Sequence, residues 1–318
     1  MLNLFAKWNE WLGHHMFYIV LSGLFIGFVI PLPDSPALRM IVVGSFAYMT
    51  FITALGTSFK EFLKVLKNPV IPAWIIILIH IVSPFIAWLV GWALFTTDQY
   101  TRLGYLVGAS TPIGVTSVIW TALTNGAVSV SLVAVTLDTL IVPVMLPLFF
   151  KIIIGQSLQI DYVQMMLQML WMVTIPSLLG MAIHDYSNGK VTDLTKHAGG
   201  FISKIAFFLV IFINAAIVGP SINWDWSTLK IILVTMFLVA AGYYTGFLGS
   251  YAFKDRSKEM ALAMVYCVGL RNISFGLVLA LSFFPPAVAV PITMFILYQQ
   301  PFAAIVPYLF RRFSKEAT

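Results

Sequence analysis

Charge is what this sequence has least of: acidic and basic residues fill only 9% of its 318 positions, where a water-soluble domain carries about a quarter. With 60% hydrophobic residues and a mean hydropathy of +0.95, no soluble core could absorb the apolar surface. A lone cysteine, Cys267, excludes an internal disulfide framework and a Cys-rich metal site. There is no P-loop, no H-E-x-x-H, no G-x-S-x-G and no nucleotide fingerprint, so primary energy coupling and intramembrane hydrolysis drop out, and no enzyme is expected. The net charge of +6 comes without a basic run. Lysines and arginines stand singly at the ends of apolar segments, a pattern of membrane topology and not of nucleic-acid binding.

What the chain has in quantity is long apolar runs. A helix needs roughly 20 mostly apolar residues to cross the hydrocarbon, where lipid offers the backbone no hydrogen-bond partner. Runs such as 71–82 and 205–218 do not alternate as the strands of a barrel would. Ten spans are predicted, at 16–32, 37–56, 70–96, 103–124, 127–154, 161–183, 199–219, 228–251, 259–283 and 286–310. The domain reading is an interfacial N-terminal helix over 1–15, five-helix repeats over 16–154 and 155–310, and a cytoplasmic tail over 311–318. The first segment bears Trp and His and lacks a small-residue cleavage site, so it is read as interfacial and not as a cleaved signal. Between spans two and three, 57–69 places apolar residues at 59, 62, 63 and 66 opposite lysines, which predicts a second interfacial helix.

An even number of spans puts both termini on one side. With the N-terminus inside, Lys7, Lys60, Lys64, Lys67, Lys190, Lys196, Lys204, Lys254, Arg256, Lys258, Arg311, Arg312 and Lys315 are cytoplasmic, 13 of the 18 basic residues. Only Arg39, Arg102, Lys151 and Lys230 fall outside. Basic residues resist translocation, so both termini are assigned to the cytoplasm of a prokaryotic plasma (inner) membrane.

Two spans are interrupted. Span four carries Gly108-Ala-Ser-Thr-Pro112-Ile-Gly114-Val-Thr116-Ser117, in which proline removes a ladder donor and the glycines and hydroxyls suit an unwound stretch. Span nine carries Cys267-Val-Gly269-Leu-Arg271-Asn272-Ile-Ser274. Each is fourth in a block of five, so the second block enters the membrane inverted; interrupted helices at matching positions of two halves point to a transport site.

Arg271 is the sharpest feature, because an arginine near the bilayer centre costs at least about 2.5 kcal/mol and does not escape by losing its proton. Asp138 is the one well-embedded carboxylate in the sequence reading, and the two are expected to face each other across a polar cavity. The bland alternative is an ion pair that only fixes packing. Ser131, Val135 and Asp138 share a helical face, which Thr139 extends, and such a stripe suits a small cation or a proton. Ser and Thr are also ordinary packing groups between membrane helices. His80 in span three reads either as a satisfied interhelical donor or as a proton relay. Asn214 in span seven is a weaker case, and Cys267 is a small apolar residue unless its thiolate is stabilised.

These features resemble the bile acid:sodium symporter family, within the wider bile/arsenite/riboflavin transporter superfamily. The likeness runs over nearly the whole chain and rests on Pro112-x-Gly114-x-x-Ser117, on Asn125-Gly126 with Ser131 following, and on Gly269-Leu270-Arg271-Asn272, similar to the family's Gly-Met-Gln-Asn. The resemblance implies an all-α membrane protein of ten transmembrane helices, built as two inverted five-helix repeats with broken, crossing helices four and nine. It also implies a secondary transporter that carries organic anions with two sodium ions, one bundle rocking against a core of spans three to five and eight to ten.

The sequence departs from the family where sodium would bind. Cys267 and Arg271 stand where the family has a sodium-ligating glutamate and, four residues on, glutamine. Val118 replaces an asparagine, and Val135 a hydroxyl ligand. Ser117 and Ser131 remain as a residual sodium site. The expectation is that the sodium site beside span nine is lost and that Arg271 serves as a built-in cation, with Asp138 as counter-charge or proton site. The substrate- or ion-binding set is then Thr116, Ser117, Ser131, Asp138, Thr139, Arg271, Asn272, Cys267 and His80, with a small organic anion and the lipid bilayer as partners and no organic cofactor. Two alternatives stay open. A metalloid exporter needs a soft cysteine in span four, where Ser110 and Ser117 stand. A non-transporting sensor or scaffold would use Asp138 and Arg271 as a locked strut.

Overall fold

A computed structural model describes residues 2–59, 70–155, 159–253 and 257–315. Among them every regular element is a helix, and several begin where the sequence supplies a cap. Ser35 accepts from the Leu38 N–H ahead of Pro36, Asp161 from Val163 and Gln164, and Asp225 from Thr228, each satisfying amides that lipid could not. The helices are α1 Leu2–His14, α2 Met16–Val29, α3 Pro36–Ala54, α4 Val70–Leu94, α5 Gln99–Ser110, α6 Thr116–Leu123, α7 Val128–Ile154 and α8 Tyr162–Ser187. They continue as α9 Lys190–Val218, α10 Trp226–Ser250, α11 Lys258–Gly269, α12 Ile273–Phe283 and α13 Ala289–Lys315.

Seven of these helices are long and apolar enough to cross a bilayer: α3, α4, α7, α8, most of α9, α10 and α13. Large apolar side chains such as Phe25, Met40, Ile81, Ile152 and Trp171 lie on the outside. The predicted helix over 57–69 lies, beyond Phe59, outside the described residues. The tail predicted at 311–318 continues α13 as far as Lys315.

By contacts the chain divides into two compact units that do not coincide with the sequence repeats. One draws on 1–67, 139–222 and 277–286, the other on 68–138, 223–276 and 287–318. In the first unit α9 packs against α1, α2 and α3. The approach is close because Gly27 of α2 has no side chain: a Cβ there would lie 2.6 Å from the Phe212 carbonyl oxygen. Small residues at such crossings let membrane helices gain dispersion contacts, since lipid supplies no hydrophobic drive between them.

The second unit holds both predicted interruptions. Its α11 is buried at every position from Met260 to Gly269, and it packs along α10 at Gly246, where a Cβ would meet the Met264 carbonyl at 2.6 Å. Span four is split into α5 and α6 by residues 111–115, and span nine into α11 and α12 by 270–272. In α4 a π-helical segment, Leu78–Val82, precedes Pro84 and inserts an extra residue into the turn.

Candidate functional site

Breaking a helix inside a membrane strands backbone groups that need partners. In the second unit the two breaks supply them to each other. Ile113 and Arg271 form an antiparallel bridge, with Gly114 N–H donating to the Leu270 carbonyl at 2.9 Å and Asn272 N–H to the Pro112 carbonyl at 2.8 Å. Gly114 suits this close approach, because a Cβ would come 3.1 Å from the Arg271 carbonyl oxygen and the bridge would have to give by a few tenths of an ångström.

The bridged residues themselves point their amides outward, and two polar side chains meet them. Asp138 of α7 accepts the Ile113 N–H on Oδ2 at 2.6 Å. Gln299 of α13, in the amide orientation that satisfies both atoms, accepts the Arg271 N–H at 3.0 Å and donates to its carbonyl at 3.1 Å. Nothing in the sequence reading singled out Gln299; its one signal is a pair of amides, Gln299-Gln300, in an otherwise apolar span.

Asp138 is fully buried, and its second oxygen takes His80 Nε2 at 2.6 Å. With Asp138 as a carboxylate, which only accepts, the proton of that bond is assigned to Nε2. Nδ1 of the same ring is buried with no hydrogen-bond partner. Asp138 and Arg271, expected to face each other across a polar cavity, form no direct ion pair. The carboxylate is committed to His80 and the Ile113 amide, while Arg271 donates from Nη1 to the carbonyl oxygens of Thr111 at 3.2 Å and Ile79 at 3.4 Å. Arg271 is only 6% exposed, and among the described residues no carboxylate lies within salt-bridge distance of it. Its two carbonyls belong to the end of α5 and to the π-helical segment of α4, electron-rich positions that attract a cation.

Arg271 also lines a narrow cleft within the second unit, with a cavity volume of about 20 Å³, room for about one water molecule. Ser83 and Thr245 supply hydroxyls, and Leu238, Val239, Val268 and Phe295 an apolar wall.

Ser117, Ser131 and Cys267 are all fully buried. The Ser131 and Thr121 hydroxyls share a hydrogen bond of 2.8 Å, and Ser117 Oγ has no partner. Val135 and Cys267 belong to one hydrophobic cluster with Ile79, Ile113 and Val268, and Val118 packs against it. Asn272 is used locally: its side-chain oxygen caps α12 by accepting from Phe275 N–H at 3.2 Å. Thr116 opens α6 in an exposed position, and Thr139 is half-buried and belongs to the other unit. Asn214, also in the first unit, is buried with an unpartnered Nδ2 beside a smaller cavity of about 10 Å³.

Comparison with known proteins gives a family model, described as the Sodium Bile acid symporter family, that matches residues 40–224. An uncharacterized protein of Bacillus subtilis, YbaS, is 34% identical over 85% of this chain and 88% of its own length. YocS of the same organism, named an uncharacterized sodium-dependent transporter, is 26% identical over 80% of this chain and 77% of its own. BASS1 of rice, named a probable chloroplastic sodium/metabolite cotransporter, is 26% identical over 62% of this chain and 48% of its own.

Proposed function

Because the chain belongs to the sodium bile acid symporter family and is thus an integral membrane transporter and not an enzyme, we propose that it moves a small organic anion by secondary, alternating-access transport. The observation that carries this reading is Arg271: a buried guanidinium, bonded only to carbonyl oxygens, on the wall of a mostly apolar cleft whose other polar side chains are the hydroxyls of Ser83 and Thr245. A carboxylate entering the cleft would meet the one strong donor there, and its apolar body the Leu, Val and Phe side chains.

The ten-span reading counts the seven long helices, α2, and the two broken pairs α5–α6 and α11–α12. Two inverted repeats are supported by the placement of both breaks at fourth positions and by α7 and α13, each with two internal prolines, at fifth positions. The excess of lysine and arginine on one side supports the reading that both termini lie in the cytoplasm.

Sodium coupling at the site beside span nine is proposed to be lost. Positions 118, 135 and 267, where the family has oxygen ligands, here contribute to an apolar cluster. A guanidinium beside that place would repel sodium by roughly 3 kcal/mol at about 5 Å with an effective dielectric of about 20. Arg271 takes the cation's role by holding the carbonyls of Thr111, at the break, and Ile79, in the π-helical segment of α4. The sensor reading needed an Asp138–Arg271 strut, and those side chains do not pair.

Uptake of labelled carboxylates into proteoliposomes, with sodium replaced by choline, tests the proposal. Uptake that persists in choline and is lost in Arg271→Gln supports it. Strict sodium dependence would refute the lost site, and no uptake of any carboxylate would refute the anion reading.

A further inference from the structure

We propose that His80 and Asp138 form one proton-binding site that fills together with the substrate anion, so that transport is electroneutral proton–anion symport. This rests on the reading that the chain moves a small organic anion.

The geometry comes first. Two charged side chains are tied to the same two short stretches of chain. Arg271 bonds the carbonyls of Ile79 and Thr111, while Asp138 bonds His80 and the Ile113 amide. The carboxylate and the guanidinium are thus held beside one another without touching. His80 Nε2 is committed to Asp138, and Nδ1 presents a buried lone pair with no donor facing it. That nitrogen is a vacant proton position backed by a carboxylate.

Charge balance supplies the coupling. With His80 neutral, Arg271 and Asp138 cancel and the empty site carries no net charge. A monoanion bound against Arg271 leaves one negative charge in a medium that solvates it poorly. A proton arriving from water at His80 Nδ1 restores neutrality. It forms one N–H bond, breaks none in the protein, and leaves to water with the anion on the other side. Because Asp138 Oδ2 also holds the Ile113 amide, the change in charge is felt at the bridged break.

The surroundings add no competing proton site of suitable chemistry. Arg271 and the Cys267 thiol of α11 are the other titratable groups turned toward the pair among the described residues. Tyr243 of α10 and Tyr266 of α11 donate to the Gln299 and Ala303 carbonyls of α13, and α13 itself presents the uncharged Gln299. The remainder of α4 brings only Ser83, whose hydroxyl donates to the Leu78 carbonyl. Ser83 also lines the Arg271 cleft one turn from His80, so water entering that cleft would come near the pair. No cluster of three metal-binding side chains is found among the described residues.

The test uses the full-length protein in sodium-free proteoliposomes, with labelled 2-oxo and hydroxy monocarboxylates, which scarcely cross lipid as anions. An inward acid gradient of about one pH unit should accumulate the label about tenfold, the ratio that one coupled proton sets. An imposed membrane potential should change that ratio little. In His80→Gln, whose amide can still donate to Asp138 but holds no proton, the ratio should fall to about one. If that variant moves no label, binding is read by thermal shift between about pH 5 and pH 8: wild-type affinity should rise about tenfold per unit fall in pH, and the variant should lose this slope. Wild-type uptake that ignores the pH gradient, or a His80→Gln protein that keeps the ratio or the slope, overturns the proton site and leaves anion transport standing. Wild-type protein that moves none of these acids in uptake or counterflow overturns both.

Discussion

Asp138 and Gln299 occupy the same place in two helices of equal length and do the same work. Asp138 stands ten residues after the first residue of the 27-residue helix α7, and Gln299 ten residues after the first residue of the 27-residue helix α13. Each meets the outward backbone of one member of the Ile113–Arg271 bridge, and each serves the break of its own half of the sequence. Residue identity between the halves is faint, yet an inverted duplication would leave this correspondence of role. The chemistry has diverged at one point: the first clamp is ionisable and carries His80, while the second is a neutral amide.

Gln299→Leu should therefore be strongly destabilising. It leaves the Arg271 N–H and carbonyl buried without partners, at a cost of about 1–3 kcal/mol each. Unfolding titrations in mixed detergent micelles should show a loss of roughly 2–5 kcal/mol, and Gln299→Glu, which keeps an acceptor for the N–H, should lose less unless it ionises. A Gln299→Leu protein as stable as wild type would mean that the amide is not clamping the break.

Sodium should leave the melting temperature unchanged when it replaces choline at constant ionic strength. A ligand stabilises only the state that binds it, by RT ln(1 + [L]/Kd), and the Val118, Val135 and Cys267 positions offer no hard oxygen side chains. A rise of several degrees in sodium would show that Ser117 and Ser131 still assemble a site with other oxygens.

The breaks were legible in the sequence because each carries a residue that a membrane helix resists: Pro112 lacks a donor, and Arg271 is charged at mid-span. The lengths of the spans were legible for the same reason that they are helical. The partner of Asp138 was not. His80 lies 58 residues away, and its direction depends on the π-helical segment Leu78–Val82, whose extra residue turns the following face by about 100° relative to a 3.6-residue pattern. Electrostatic reasoning alone paired the two obvious charges. The backbone groups freed by the breaks, which no sequence pattern displays, compete for the same side chains and win Asp138 through Ile113. Thr116, expected in the binding set, lies exposed at the start of α6, after unwinding that continues to Val115.

Gly246→Leu should separate α10 from α11. Its Cβ would sit 2.6 Å from the Met264 carbonyl oxygen and 2.8 Å from the Val265 Cα, and backbone atoms cannot step aside as a side chain can. Overpacking of this kind costs about 1–3 kcal/mol or more, so thermal melting should fall by several degrees, whereas Gly44→Ala, with open space around it, should change little.

Asp34 and Arg39 give a pH-dependent contribution at the edge of the first unit. Arg39 donates to the carboxylate at 2.7 and 2.5 Å, and this bonding holds the Asp34 carboxyl below its ordinary value. A carboxyl depressed in the folded state stabilises above its unfolded pKa of about 3.9 and loses that contribution as pH falls through the folded value. The pair is partly exposed, so the contribution is at most about 1 kcal/mol. Asp34→Asn should melt slightly below wild type at neutral pH, and the difference should vanish once the pH has fallen below the lowered Asp34 value.

Arg271→Met separates the structural cost of the cation from its use. A buried charge bonded only to neutral carbonyls, with Asp138 beside it but not bonded to it, pays for desolvation with little direct return, so its loss should cost less stability than the Gln299 clamp. The same change removes the only strong anion donor on the cleft wall, so carboxylate binding should fall at least about tenfold, the lower end of a charge-assisted hydrogen bond. Arg271→Lys keeps the charge but has a single nitrogen on a flexible stem, and should restore part of the binding without the guanidinium's fixed geometry. Thermal melting and ligand-induced shifts measured on both variants decide the matter. Loss of stability in Arg271→Met comparable to that in Gln299→Leu, with carboxylate binding intact in whatever folds, would make the arginine a strut and remove it from the transport site.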